Sequence, residues 1–144
     1  MISLLDVNVL IALFDGTHVH HETAHRWFEA HGDAGWATCP LTANGFVRVL
    51  SNPGYPGRRT TIEDAIDRLS RFCDGSRHRF WPAAISLRRG VVRPVHVGGH
   101  RQLTDVYLLA LAVHHRGRLA TFDRTIPLHA VHGASAENLE IVTD

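Results

Sequence analysis

An α/β fold, with a central and mainly parallel sheet of four or five strands covered by helices, is what this 144-residue sequence predicts. Three observations carry the prediction. Short apolar runs alternate with stretches of helical periodicity, the pattern of a parallel sheet buried on both faces. Two of the runs end on an aspartate, Asp6 and Asp123. The stretch after Thr104 is apolar all round in its middle, so it reads as a buried helix.

The elements follow in order. Residues 2–5 form an apolar run stopped by Asp6, a buried strand with a carboxylate at its C-terminal end. Residues 7–14 read as an apolar helix closed by Asp15-Gly16, and residues 22–31 as a helix with Ala24, Trp27 and Phe28 on one face. A strand at 36–39 is stopped by Pro40. Thr42 then caps a helix to about Leu50, with Phe46, Val47 and Leu50 inward. Pro53, Gly54, Pro56 and Gly57 make residues 51–59 a loop. Thr61 caps an amphipathic helix in which Ile62, Ala65, Ile66, Leu69, Phe72 and Cys73 recur at helical spacing. A strand at 78–81 and a short helix after Pro82 are expected next, then a flexible joint at Gly98-Gly99. Thr104 opens the buried helix, which runs to about His115. Strands at 118–122 and 139–143 close the chain.

Length and composition place the whole chain, residues 1–144, in one domain able to bury a core without disulfides. The apolar fraction is 44% and the charged fraction 20%, so the chain is globular and not disordered. No apolar run approaches a membrane span, and no basic segment precedes the first apolar stretch as in a secretory leader. The two cysteines, Cys39 and Cys73, make neither a zinc site nor a disulfide framework, which fits a reducing cytoplasm. Net charge is only +1, so no broad basic field marks a nucleic-acid partner. All 15 basic residues are arginine. The clusters Arg58-Arg59, Arg77/Arg79 and Arg88-Arg89 are the local candidates for phosphate contact.

In open α/β sheets the site lies outside the carboxyl ends of the strands. That rule selects Asp6 and Asp123, and Asp105 in the first turn of the buried helix faces the same crevice. Taken singly, Asp6 and Asp105 read as helix caps or first-turn acids and Asp123 as a turn residue. Together they read as a cluster of like charges that a hard divalent cation would relieve. Such a cation orients water and a phosphodiester for in-line attack.

Three segments carry a family resemblance: "SLLDVNVLIAL" at the start, "CPLTANGFVRVLSNP" in the middle and "GHRQLTDVYLLALAVHHRGRLATFD" late in the chain. In this order, over residues 2–143, the sequence resembles the PIN-domain ribonucleases of the VapC toxin family. The resemblance implies a PIN-like three-layer α/β/α fold and endoribonuclease activity dependent on Mg²⁺ or Mn²⁺. It also implies dimerisation and neutralisation by a VapB-type antitoxin. By the same resemblance Asp6, Asp105 and Asp123 are the catalytic and metal-binding acids, supported by Asn8, Thr42, Asn44 and Thr121. Arg48, His100, Arg101 and Arg124 are candidate RNA or antitoxin contacts. The family places an acidic residue two positions before the central Gly-Phe pair, and here that position is Ala43. Three accounts stand open: fewer acids suffice, another group contributes, or Ala43 was introduced to silence a toxic enzyme; the alanine is expected to impair activity, and Ala43→Glu to restore it.

Two readings compete. A PIN module that holds RNA without cutting it draws on Ala43, and a metal-dependent cleavage assay separates it from an enzyme. His21-Glu22-Thr23-Ala24-His25 matches the H-E-x-x-H pattern of zinc proteases. With 12 histidines in the chain, chance makes such a match easy, and no third-ligand motif follows. His18 and His20 are further candidates for an adventitious metal site.

Overall fold

The protein, seen in a computed structural model, is described over residues 1–75, 77–88 and 90–144. Arg89, half of one predicted basic pair, lies outside the described residues. Five strands, β1 (Ser3–Leu5), β2 (Trp36–Thr38), β3 (His78–Phe80), β4 (Arg118–Thr121) and β5 (Leu139–Ile141), form one sheet in the order β3-β2-β1-β4-β5. Every pairing is parallel. Successive residues of a strand face opposite sides. Leu4, Ala37 and Leu119 therefore enter one core, and Leu5, Trp36 and Ala120 the other.

Helix α5 (Leu103–His114) covers the first face. Helices α1 (Val7–Phe14), α2 (His21–His31), α3 (Pro40–Leu50) and α4 (Ile62–Asp74) cover the second, α1 packing on α2 and α3, and α3 on α4. The three layers of the expected α/β/α fold are present. A fully buried Phe46, Leu10 or Leu109 is worth roughly 1.5–3 kcal/mol against exposure.

Because all strands run the same way, their carboxyl ends share one edge of the sheet. The strand order reverses between β1 and β4, where a crevice opens. Asp6 follows β1, and Phe122-Asp123 follow β4, so both acids stand at that crevice.

Several local expectations are corrected. Helix α3 starts at Pro40, whose missing N–H suits a first helical position, so the proline opens the helix as well as ending β2. Thr42 is thus in the first turn: its Oγ accepts from the Cys39 N–H at 2.9 Å. In α4, Ala65 and Leu69 are buried, but Ile62 and Ile66 are 62% and 51% exposed. Ile62 shares a shallow hollow with Val47 and Arg48 instead of entering the core. Among the described residues no helix directly follows Pro82. Residues 82–86 run on without regular structure, anchored by Trp81 stacked on His115 at 4.5 Å and by the Tyr107 hydroxyl donating to the Ile85 carbonyl. The Gly98-Gly99 joint is tied, since the Gly98 N–H donates to Gln102 Oε1 at 2.6 Å. Among the described residues no helix is long and apolar enough to cross a membrane.

Candidate active site

Asp6, Asn8, Asp105 and Asp123 line one cleft of about 390 Å³ at the β1/β4 crevice, together with His18 and Tyr55. Its apolar wall is Val7, Ile11 and Val49. Asp6 is the N-cap of α1 and only 6% exposed. One of its oxygens accepts from the Val7 N–H at 2.7 Å, the other from the Thr121 hydroxyl at 2.7 Å. The Thr121 oxygen in turn accepts from the Asp123 N–H at 3.1 Å and from Asn8 Nδ2 at 3.4 Å. This fully buried hydroxyl from β4 thus joins both strand-end acids and the first turn of α1.

Asp105 comes to the cleft from the first turn of α5. A chain of bonds fixes that turn: Gln102 Nε2 donates to the Thr125 carbonyl at 3.2 Å, and the Thr125 N–H and hydroxyl both donate to Asp123 Oδ1. Sequence reasoning placed Gln102 near the crevice as a candidate contact but missed Thr125, with which it bridges two loops distant along the chain.

The acids perturb one another. Burial, then the charges of Asp6 and Asp123, push the Asp105 carboxyl up to about 6. The Thr125 hydroxyl and N–H hold Asp123 below the usual carboxylate range, and its bond with Asp105 acts the same way. Burial raises Asp6 despite its two donors. Below about pH 6, in the absence of a cation, the proton of this cluster therefore sits on Asp105, in its bond with Asp123.

The donor set suits a hard divalent ion: three carboxylates facing one cleft, and beside them Asn8 Oδ1, buried without a hydrogen-bond partner among the described residues. Among the described residues no three Asp, Glu, His or Cys side chains are already gathered at ligand spacing. A cation has to take the place of the proton between Asp105 and Asp123.

Other predicted residues lie elsewhere. Thr42 is buried in its bond to Cys39, and Asn44 and Arg48 line the exposed hollow against Ile62. Neither Thr42 nor Asn44 reaches the carboxylates, and Arg48 does not brace them. Arg48 sits in the last turn of α3, where a cation suits the helix dipole. Ala43 packs its methyl on the core of the four-helix face and does not line the cleft. On α3, Gly45 faces α1: a Cβ there would stand 2.7 Å from Val7 Cγ2. Positions 43 and 45 differ by about 200° around a helix. Alanine at 43 supplies no ligand, so α3 adds no carboxylate to the three. His100 and Arg101 are exposed on the turn before α5, and Arg124 is exposed beside Asp123, so these three stand near the rim. Arg77 lies before β3, at the opposite end of the parallel sheet.

The H-E-x-x-H match is a helix-capping device. His21 Nδ1 bonds the Ala12 carbonyl at 2.7 Å, and His25 Nε2 the Leu13 carbonyl at 3.2 Å. Arg68 donates to the Phe14 carbonyl at 3.1 Å. Three carbonyls that the end of α1 leaves unpaired are thereby satisfied. Glu22 is exposed and pairs with Arg26. His20 packs against Phe122 with ring centroids 4.7 Å apart, and among the described residues His18 and His20 belong to no metal-holding group of three. His21→Ala and His25→Ala should each cost about 1 kcal/mol in urea unfolding. Zinc should leave the transition of the native protein unmoved, and a Zn²⁺-induced rise would restore the protease reading.

The chain matches the PIN domain family over residues 3–131. It is 47% identical over 140 residues to Ribonuclease VapC44 of Mycobacterium tuberculosis, covering 96% of this chain and 98% of that one. It is 42% identical over 143 residues to Ribonuclease VapC39 of the same organism, covering 99% and 100%. With Ribonuclease VapC29, also from that organism, identity is 46% over 123 residues, 85% of this chain and 86% of the relative. This chain belongs to the PIN-domain family and, within it, to the VapC group.

Proposed function

We propose that the chain is an endoribonuclease toxin of the VapC type, acting as one domain on cellular RNA in the cytoplasm. The observation that carries this reading is the trio of mutually perturbed carboxylates, Asp6, Asp105 and Asp123, in one cleft at the β1/β4 switch point. Mg²⁺ or Mn²⁺ held by these three supplies a Lewis acid for the phosphodiester and a polarised attacking water. The chain's own residues do the rest. Thr121 fixes the oxygens of Asp6, and its contacts with Asn8 and Asp123 keep both strand ends in register. The Gln102–Thr125–Asp123 chain holds the α5 turn that carries Asp105. Arg101 and Arg124 at the rim are placed to take up phosphates of the strand.

In the cell this activity is held in check by a VapB-type antitoxin bound to a homodimer, an antitoxin arginine entering the acidic cleft in place of the cation. Ala43 stands where the VapC family carries an acid and supplies no ligand, so this chain cleaves RNA poorly, and Ala43→Glu should cleave it faster in Mg²⁺. The test is incubation of the purified protein with total RNA in Mg²⁺, in Mn²⁺ and in EDTA. Discrete products with either metal and none with EDTA are expected. RNA that is retained but left intact in metal would favour the non-cleaving module instead.

A further inference from the structure

The cleft has two chemically different ends. One carries the three acids. The other is closed by two rings, Tyr55 and His18, with Val7, Ile11 and Val49 along the wall between. Helix α1 runs the length of it. Ile11 lies about 7.5 Å along the axis from Asp6, within the reach of one nucleotide.

Both rings are held in place from behind. The Tyr55 hydroxyl donates to the carboxylate of Asp15 at the end of α1. Asp15 is itself fixed by the Thr17 N–H at 2.9 Å and hydroxyl at 2.8 Å. This pins the loop between α3 and α4 over the cleft. His18 Nδ1 accepts from the His20 N–H at 3.0 Å, which leaves Nε2 as the ring's N–H. Burial, then His20, lowers the His18 pKa, and burial, then Asp15, pushes Tyr55 up to about 12, so both rings are uncharged near neutral pH. Beyond Tyr55 a second hollow shares that side chain and is lined by Arg58 and Arg68. A cation-binding end, a ring-lined middle and a basic far end follow one another along a single track. That is the arrangement that binds single-stranded nucleic acid, in which bases stack on rings and phosphates meet arginines.

We propose that Tyr55 and His18 form a nucleobase subsite that stacks a base beside the phosphodiester held at the carboxylates, and thereby selects where RNA is cut. The proposal rests on the ribonuclease reading of the acidic end. An uncharged, partly apolar recess suits the face of a base and not a phosphate, whose charge goes to the arginines beyond. Tyrosine supplies a large ring at little conformational cost. Arg58, one of the basic pair legible in the sequence, then has its place as the contact to the next phosphate.

The experiment uses a short single-stranded RNA bearing 2-aminopurine, titrated with the full chain in EDTA so that nothing is cleaved. Quenching of the base on binding is expected with the native protein and with Tyr55→Phe, which keeps the ring. Tyr55→Ala should weaken binding about 10- to 100-fold and remove the quenching. His18→Ala should act in the same direction, and it carries the test if Tyr55→Ala fails to fold by circular dichroism. A second arm maps cut sites on random-sequence RNA in Mg²⁺. Tyr55→Ala should flatten the base preference next to the cut, and Tyr55→Phe should keep it. Unchanged quenching in both alanine variants would overturn the subsite. Absence of cleavage by the native protein would overturn the ribonuclease reading, while the binding arm would still decide whether a base sits on Tyr55.

Discussion

Replacing Asp6 with asparagine is expected to slow RNA cleavage in Mg²⁺ by more than about 100-fold. Loss of an outer-sphere partner of a metal ligand typically costs about 10–100-fold, and removal of the ligand's charge costs more. Thr121→Val, which takes away the hydroxyl that orients Asp6, should fall within that smaller range. The ordering of the two variants is the informative part, because it separates a charge that acts from a contact that positions. Asp6→Asn should still fold. Burial raises the folded-state pKa of Asp6, so its ionised form is a burden at neutral pH, and a neutral side chain removes it. Cleavage rates and thermal melts of the two variants check this together. Native-like cleavage by a well-folded Asp6→Asn would show that the metal is held elsewhere.

The sequence made the sheet and its acids legible for a physical reason. A parallel strand buried on both faces needs an unbroken apolar run, and the residue that ends the run stands at the edge where parallel-sheet sites form. Leu4-Leu5 before Asp6 and the Leu119-Ala120 centre of β4 shortly before Asp123 follow this in outline, and the apolar circumference of α5 announced its burial. What the pattern did not carry was direction. The counting from Gly-Phe that put position 43 at the site rests on the family resemblance, and its alanine is half-buried against the core of the four-helix face. The H-E-x-x-H spacing does put both histidines on one face of α2, as a zinc site requires. That face meets the carbonyl end of α1, and nothing in the spacing tells which neighbour a face meets. Tyr55 was not singled out, and His18 only for an adventitious metal site, because a loop and a turn bring them to the cleft and loop paths leave no periodic trace in sequence.

Mn²⁺ binding should weaken about tenfold per pH unit below pH 6 and level off above pH 7, because Asp105 must lose its proton to accept a cation. The same shift has a consequence for the metal-free protein, of opposite sign. The folded-state pKa of Asp105, about 6, lies above the ordinary 3.8, so between those values the folded state holds more protons than the unfolded one. Stability is therefore highest below about pH 4 as far as this group is concerned, and declines as pH rises through 6. Asp105 is partly exposed, and solvent screening leaves on the order of 1 kcal/mol of this cost. Asp105→Asn has no charge to bury. In EDTA at pH 7.5 it should melt roughly 3 °C above the native protein for each kcal/mol removed. Adding Mn²⁺ at the same pH should reverse the order. The native protein gains stability by binding, and the variant gains little. Calorimetric titration and melting curves from pH 5 to pH 7.5, with and without Mn²⁺, read both effects. If the variant and the native protein respond alike to Mn²⁺ at every pH, Asp105 holds no cation, and its raised pKa serves only the proton it shares with Asp123.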